Sequence, residues 1–317
     1  MPGSPISRDD VLAARDALAG RLHRTPLFSS ATLSRATGAR VFLKAELFQR
    51  TGSFKPRGIL TRIGALGAEE RRRGVISISA GNAAQAVAWA ATEEGIDALV
   101  VMWEGASAQK VEATRAYGAE VDLSASGPVE AFAHVRELVE ETGRTFVHPY
   151  DDPLVIAGHG TLGLELTEDV PELDLVLVPA GGGGLVSGIA SGLDARVVAV
   201  EPEGSSALHA ALEAGRPVPV QPDSIADALS APVAGENCLA VCRARGVESV
   251  LVSDEEIAAA MRFLYARAKL ACEPGAAAGV AALLAGKAAV EPGETVAAVV
   301  SGGNVSPATA VAILDAL

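Results

Sequence analysis

The sequence predicts an α/β fold built on mostly parallel sheet, and three observations carry that prediction. Apolar stretches of strand length alternate with stretches of helical periodicity, the pattern of strand–helix–strand units. Three glycine-containing turns each follow such a strand, where ligands bind in open α/β sheets. The chain has 317 residues, 49% hydrophobic and 21% charged, which describes a globular protein large enough for two lobes.

In order, Ser7 with Asp10 caps a first helix that ends near Gly20. Arg24 to Leu27 is an extended entry segment, and Val41 to Glu46 a strand leading towards Lys55. Arg57 to Leu66 reads as a helix with Ile59, Leu60, Ile63 and Leu66 on its apolar side. Strand Gly74–Ser79, helix Asn82–Glu94 closed by Gly95, strand Ala98–Met102 and helix Ser107–Tyr117 closed by Gly118 follow. Strand Glu120–Leu123, helix Val129–Thr142 closed by Gly143 and strand Thr145–Val147 come next. Asp151 to Asp169 is helical with turns at Gly158 and Gly160. Leu175 to Val178 is a fully apolar strand that runs into Gly181-Gly182-Gly183-Gly184-Leu185 and a helix. Strand Arg196–Val200 ends in Glu201-Pro202, and Ser253 with Glu256 is a capping box for a long helix to about Leu270. Thr295 to Val300 is the last strand, before Ser301-Gly302-Gly303-Asn304 and a C-terminal helix from Ser306-Pro307. No internal repeat, linker or low-complexity segment interrupts the series.

Net charge is −13, which argues against a nucleic-acid partner and leaves any anionic ligand to local devices. Lys287 and repeated glycines break the best apolar runs below membrane-spanning length, and Met1 to Asp10 holds no apolar leader core. Three cysteines, Cys238, Cys242 and Cys272, suit a reducing cytoplasm and lack the partnering histidines of a metal site, so they are expected in the core.

Two features carry chemistry. Lys55 precedes Pro56, and proline favours the first turn of a helix, so Lys55 falls at the N-cap. Lysine caps poorly, and the positive end of the helix dipole disfavours its charged form. A neutral amine is the nucleophile that forms an imine with an aldehyde cofactor; the plain alternative is a solvated loop lysine. The four glycines between strand and helix offer backbone N–H groups and a helix N-terminus to a phosphate. They match neither the Walker pattern nor the dinucleotide fingerprint. Ser79-Ala80-Gly81-Asn82 is a second such turn, suited to a carboxylate, and Ser301-Gly302-Gly303-Asn304 a third.

With these motifs in hand, the chain resembles the serine/threonine dehydratase (threonine ammonia-lyase) and serine racemase family of fold-type II pyridoxal-phosphate enzymes. The resemblance is carried, in order, by Gly52 to Gly58, Ser79 to Asn82, His148 to Pro153, Gly181 to Leu185, Glu201-Pro202, Ile225 to Asp227, Glu273-Pro274 and Ser301 to Asn304. It implies two open, twisted, mostly parallel sheets with helices on both faces. A large cofactor-binding domain would comprise residues 1–68 and 147–317, and a small mobile domain 69–146. Pyridoxal phosphate would be held by Lys55 as its imine, with Phe54 packed on the ring and Asn82 on its 3-hydroxyl. Gly181, Gly182, Gly183, Gly184 and Leu185 would hold the phosphate, and Ser301 would face the pyridine nitrogen. Ser79, Gly81 and Asn82 would bind the substrate carboxylate. Serine at the pyridine nitrogen leaves it unprotonated, which favours β-elimination over reactions that need a long-lived carbanion.

The resemblance implies a cytoplasmic lyase, a homodimer or other homo-oligomer, that converts a small β-hydroxy amino acid of the L-threonine/L-serine type to a 2-oxo acid and ammonia. Its alternatives are a serine- or aspartate-type racemase, a 3-hydroxyaspartate dehydratase, and a catalytically silent ligand-binding homologue. Ala80 stands where the racemases place a serine, which favours elimination. Three positions depart from the family: Ala83 replaces a histidine, His159 a glutamine and Ala228 a glycine. Leu317 is the last residue, without the regulatory domain of biosynthetic threonine deaminases. Glu201 with the carbonyl of Ser205 would be an incomplete divalent-cation site, because Ala207 stands at the expected third ligand; structural and liganding roles for Glu201 both stay open.

Overall fold

The computed structural model describes residues 5–315. Residues 1–4 and 316–317, which include the start of the stretch read for a leader and the chain's last residue, lie outside the described residues. The strands are β1 Leu27–Ser29, β2 Arg40–Ala45, β3 Val75–Ile78, β4 Ala98–Trp103, β5 Glu120–Ala125, β6 Thr145–Phe146, β7 Leu175–Pro179, β8 Arg196–Pro202, β9 Glu248–Val252 and β10 Thr295–Val300. Six of them form one sheet in the order β1-β2-β10-β7-β8-β9, and four form a second, β5-β4-β3-β6. Among the strand pairs of the described residues only β1–β2 is antiparallel, so the architecture is the expected one.

The sequence explains the placement of the central strands. Every residue of β7 and of β10 is buried; such uninterrupted apolar strands belong in parallel sheet covered on both faces. One face of the large sheet packs on helices Asp254–Phe263 and Ala278–Leu284 through Leu177, Val198, Ile257, Met261 and Ala281. The other packs on helices Gly184–Gly192 and Glu236–Ala244 through Val176, Val178, Ile189, Leu239 and Cys242. The small sheet joins the large one through helix Pro56–Gly64, whose Ile59, Leu60 and Ile63 meet Ala84, Val87 and Ala91 of helix Asn82–Glu93. The three cysteines are free and buried, as core residues.

Several local readings change. Asp151 to Asp169 has no turns inside it; Pro153–Asp169 is one helix, capped by Asp152. Its glycines are contact points. A Cβ on Gly158 would come within 2.3 Å of the Arg57 carbonyl, and one on Gly160 within 2.8 Å of the Gly188 carbonyl. Three helices therefore approach backbone to backbone around the segment that follows Lys55. The helix expected to reach Leu270 ends at Phe263 and continues as a π-turn, Leu264–Ala268, closed by Lys269 in the left-handed region. The entry segment is partly strand, β1. Helices Ala31–Thr37, Ala68–Arg73, Ala207–Ala214, Glu236–Ala244 and Ala278–Leu284, and strand β9, add to the elements read from the sequence.

Candidate functional site

A cleft of ≈ 500 Å³ opens where the carboxyl ends of the two sheets face each other. It is lined by Phe54, Lys55, Ser79, Gly81, Asn82, Gly181 to Leu185, Ser301 and Glu273, among others. The structure thus brings together every residue expected to hold cofactor or substrate, and leaves Glu201 and Ser205 outside.

Lys55 is fixed by what surrounds it on the chain. The Phe54 amide donates to the Ser301 carbonyl at 3.0 Å, and Ser53 bridges to Gly302, so the tip of β10 holds the segment before the lysine. Helix Pro56–Gly64 begins directly after it, and Lys55 occupies the N-cap without a capping hydrogen bond. Arg57, fully inside, pairs bidentately with Glu46 at 2.8 Å and reaches Glu165 at 2.7 Å. This buried ion network locks the helix start; its worth is in geometry, since such networks repay little net stability. The Lys55 Nζ donates to the Pro149 carbonyl at 2.8 Å. Burial pulls its pKa down to about 8, against the opposing pull of Cys238 and Glu273. Phe54 meets His159 edge to face at 4.8 Å. His159 is fully buried with both ring nitrogens unpartnered, and burial, then Lys55 and Arg57, keep it neutral.

The glycine run after β7 is shaped by its packing. A Cβ on Gly181 would lie 2.7 Å from the Leu229 carbonyl, on Gly182 2.5 Å from the Tyr150 ring, on Gly183 2.9 Å from Cys238 Cβ, and on Gly184 2.9 Å from the Tyr150 carbonyl. Gly183 also has φ +98°, a conformation only glycine adopts cheaply. The backbone is free to present its N–H groups at the start of helix Gly184–Gly192, a cradle for an anion. The turn after β3 differs: the Gly81 amide donates to Ser79 Oγ at 3.1 Å, and little packs over it. The cradle, the lysine and the ring of Phe54 fit pyridoxal phosphate.

Three residues, Glu273, Asn304 and Tyr150, gained no role from the sequence, although all three stood inside quoted motifs. Asn82 Nδ2 donates to Glu273 Oε1 at 2.6 Å, and Asn82 Oδ1 accepts from Asn304 Nδ2 at 2.8 Å. Both ends of the Asn82 amide are therefore oriented, with one N–H left for the cleft. Glu273 is buried, its Oε2 is unpartnered, and burial pushes its pKa up to about 7. Tyr150, the third, roofs the glycine run and donates to the Val233 carbonyl at 3.0 Å.

Glu201 has other work. Its oxygens accept the amides of Leu208 and His209 at 2.8 and 2.7 Å, so it caps helix Ala207–Ala214. Burial pushes its pKa up to about 8 while those amides pull the other way. Ser205 Oγ donates to the Leu229 carbonyl. Among the described residues no group of three or more histidine, cysteine, aspartate or glutamate side chains is arranged to hold a metal.

Comparison with known proteins agrees with the geometry. The family described as pyridoxal-phosphate dependent enzyme matches residues 18–302. The L-threonine ammonia-lyase of Thermotoga maritima is 42% identical over 306 residues, covering 95% of this chain and 76% of that protein. The phenylserine dehydratase of Ralstonia pickettii is 41% identical over 291 residues, covering 90% of this chain and 89% of that protein. The solved structure of maize serine racemase superposes with a TM-score of 0.92 at 36% identity, covering 96% of this chain and 95% of that chain.

Proposed function

This chain belongs to the pyridoxal-phosphate-dependent enzymes, and on that premise we propose that it is a lyase of the threonine/serine dehydratase type. It removes water and then ammonia from a small β-hydroxy L-amino acid and leaves a 2-oxo acid. The observation that carries this reading is Lys55: an amine with its pKa lowered to about 8, in a cleft whose other end is a four-glycine anion cradle. The bound cofactor supplies an electron sink that makes the proton on the substrate's α-carbon removable.

The protein's own groups do the rest. Lys55 would hold the cofactor by its aldehyde, and its Nζ, with a pKa lowered to about 8, would take the substrate's α-proton. Gly181 to Leu185 would hold the phosphate, and Phe54, backed by His159, would pack on the ring. The Ser301 hydroxyl, which lines the cleft, would face the pyridine nitrogen and leave it unprotonated. Asn82, oriented by Glu273 and Asn304, would give its remaining N–H to the cofactor's 3-oxygen. Ser79 and Gly81, with Asn82, hold the substrate carboxylate. The small domain, residues 69–146, closes over the large one, residues 1–68 and 147–317, and excludes water. A cytoplasmic homo-oligomer is the assembly proposed. A divalent cation at Glu201 and the Ser205 carbonyl is left out of the reading, because the Glu201 carboxylate already serves two backbone amides.

Elimination is favoured over racemisation by Ala80, which lines the cleft. Racemisation needs a proton donor on each face of the α-carbon; Lys55 serves one, and alanine has none to give. A screen of L- and D-serine, L-threonine and 3-hydroxyaspartate for 2-oxo acid, ammonia and enantiomer tests the reading. The L-enantiomers should release ammonia with little D-product, and Ala80→Ser should raise the racemised share. Wild-type protein that exchanges enantiomers faster than it releases ammonia would be a racemase.

A further inference from the structure

On the small-sheet side of the cleft, apart from the Ser79–Asn82 turn, Ile78, Trp103, Pro128 and Phe132 have no part in the chemistry above, and they are apolar. Trp103 ends β4. The β4–β5 pairing puts Val101 opposite Asp122 but Trp103 opposite Ala125, so β5 uses one residue more than β4. Such a slip increases the local twist and re-aims the next side chain. Pro128 and Phe132 stand four apart in the first turns of helix Pro128–Thr142 and share one face. Trp103, Phe132, Pro128 and Ile78 all line the cleft, beside the small Ala83. Trp103 and Phe132 pack on a core that includes Val101, Ala131 and Val135, yet stay half-exposed where they meet the cleft. Large apolar side chains left open inside a concave polar-edged site mark ligand contact.

Charge narrows the ligand further. The charged residues lining the cleft are Lys55, Lys110, Asp227 and Glu273. Lys55 is assigned to the cofactor, and Lys110 Nζ lies 2.5 Å from Asp227 Oδ2. A carboxylate on the β-carbon would find no free cation, and one acid, Glu273, outside any ion pair.

The geometry points to a β-aryl-β-hydroxy-α-amino acid as the preferred substrate, its ring resting against Trp103 and Phe132. This rests on the lyase reading and deepens it. The balance is the same as for threonine: the α-C–H and β-C–O bonds break, one water leaves and one returns in hydrolysis. The net products are an aryl 2-oxo acid and ammonia, with nothing oxidised or reduced overall.

The test compares L-threo-phenylserine, L-threonine and L-threo-3-hydroxyaspartate on the holoenzyme by 2-oxo acid release. Phenylserine should exceed threonine at least tenfold in kcat/KM, with hydroxyaspartate lowest. Phe132→Ala and Trp103→Ala should each lower phenylserine kcat/KM about tenfold and change threonine less than threefold. A second readout does not need turnover. The chain has two tryptophans, so Trp89→Phe leaves Trp103 as the single emitter. L-phenylalanine lacks the hydroxyl and cannot eliminate; it should shift Trp103 emission at concentrations where L-aspartate does not. Threonine turned over as well as or better than phenylserine overturns the inference and leaves the lyase standing. Phenylalanine binding at Trp103 without turnover of any hydroxy amino acid supports the aryl site and overturns the lyase. Equal responses to phenylalanine and aspartate remove the aryl site.

Discussion

Two glycine turns close the two sheets, and they are built in opposite ways. After β7, all four glycines lie against Leu229, Tyr150 or Cys238, and no Cβ fits at any of them without displacing a neighbour. After β3, a Cβ on Gly81 would meet nothing nearer than Ser79 Oγ at 4.0 Å. The first turn is fixed by packing on every side. The second is half-buried and held chiefly by its own Ser79 hydroxyl. A cofactor that stays through every turnover calls for a cradle set before it binds; a substrate that enters and leaves calls for room. On the proposed chemistry a glycine turn is thus an anchor on the large sheet and a landing site on the small one.

The comparison breaks most visibly at Gly183. Gly183→Asp puts a side chain at φ +98°, against Cys238, and an anion where the phosphate is proposed to bind. Left-handed strain alone costs about 1–2 kcal/mol, and charge adds to it, so cofactor affinity should fall at least about 100-fold, where each 1.4 kcal/mol is tenfold. Titration of the apoprotein with cofactor by visible absorbance measures this. Unchanged affinity in a folded variant would place the phosphate elsewhere.

The anchor has a pH signature, because only neutral Lys55 attacks the aldehyde. Its pKa is lowered to about 8. Burial disfavours the charged form, so the reactive fraction grows with rising pH and levels off above that value. Cofactor loading should rise roughly tenfold from pH 6 to 7, less from 7 to 8, and little beyond. A rate still climbing tenfold per unit between pH 8 and 10 would mean an ordinary solvated lysine.

The landing site sharpens the contrast with a smaller effect. Gly81→Ala meets no packed neighbour, so stability and cofactor affinity should hold. The added methyl narrows the approach of a carboxylate to the turn, and KM for the amino acid should rise about tenfold, the scale of one charge-assisted hydrogen bond. Steady-state kinetics beside the cofactor titration separates the two. A loss of cofactor affinity as large as that of Gly183→Asp would erase the distinction between the turns.

What the sequence makes legible is what lies close together along it. Lys55-Pro56 declares a helix start with a badly placed amine, and four glycines between an apolar strand and a helix declare a cradle. The orientation of Asn82 depends on Glu273 and Asn304, which are 191 and 222 positions away, and no local pattern marks such a meeting. Gly158 and Gly160 misled for a different reason. Glycine signals both a turn and a close helix contact, and only the neighbouring Arg57 and Gly188 carbonyls decide between them. Trp103, just past the strand expected to end at Met102, and Phe132, inside a helix, carry no functional mark in the sequence, and the register slip beside Trp103 arises from pairing with β5.

The proposed chemistry depends above all on Lys55 bonding the cofactor. Borohydride reduction of the purified holoprotein, followed by peptide mass analysis, tests that directly. The account predicts the reduced cofactor's mass on Lys55 alone, since Lys44 is buried against Glu165 and Asp169 and Lys110 is paired with Asp227. A label on Lys44 or Lys110, with Lys55 unmodified, would contradict it.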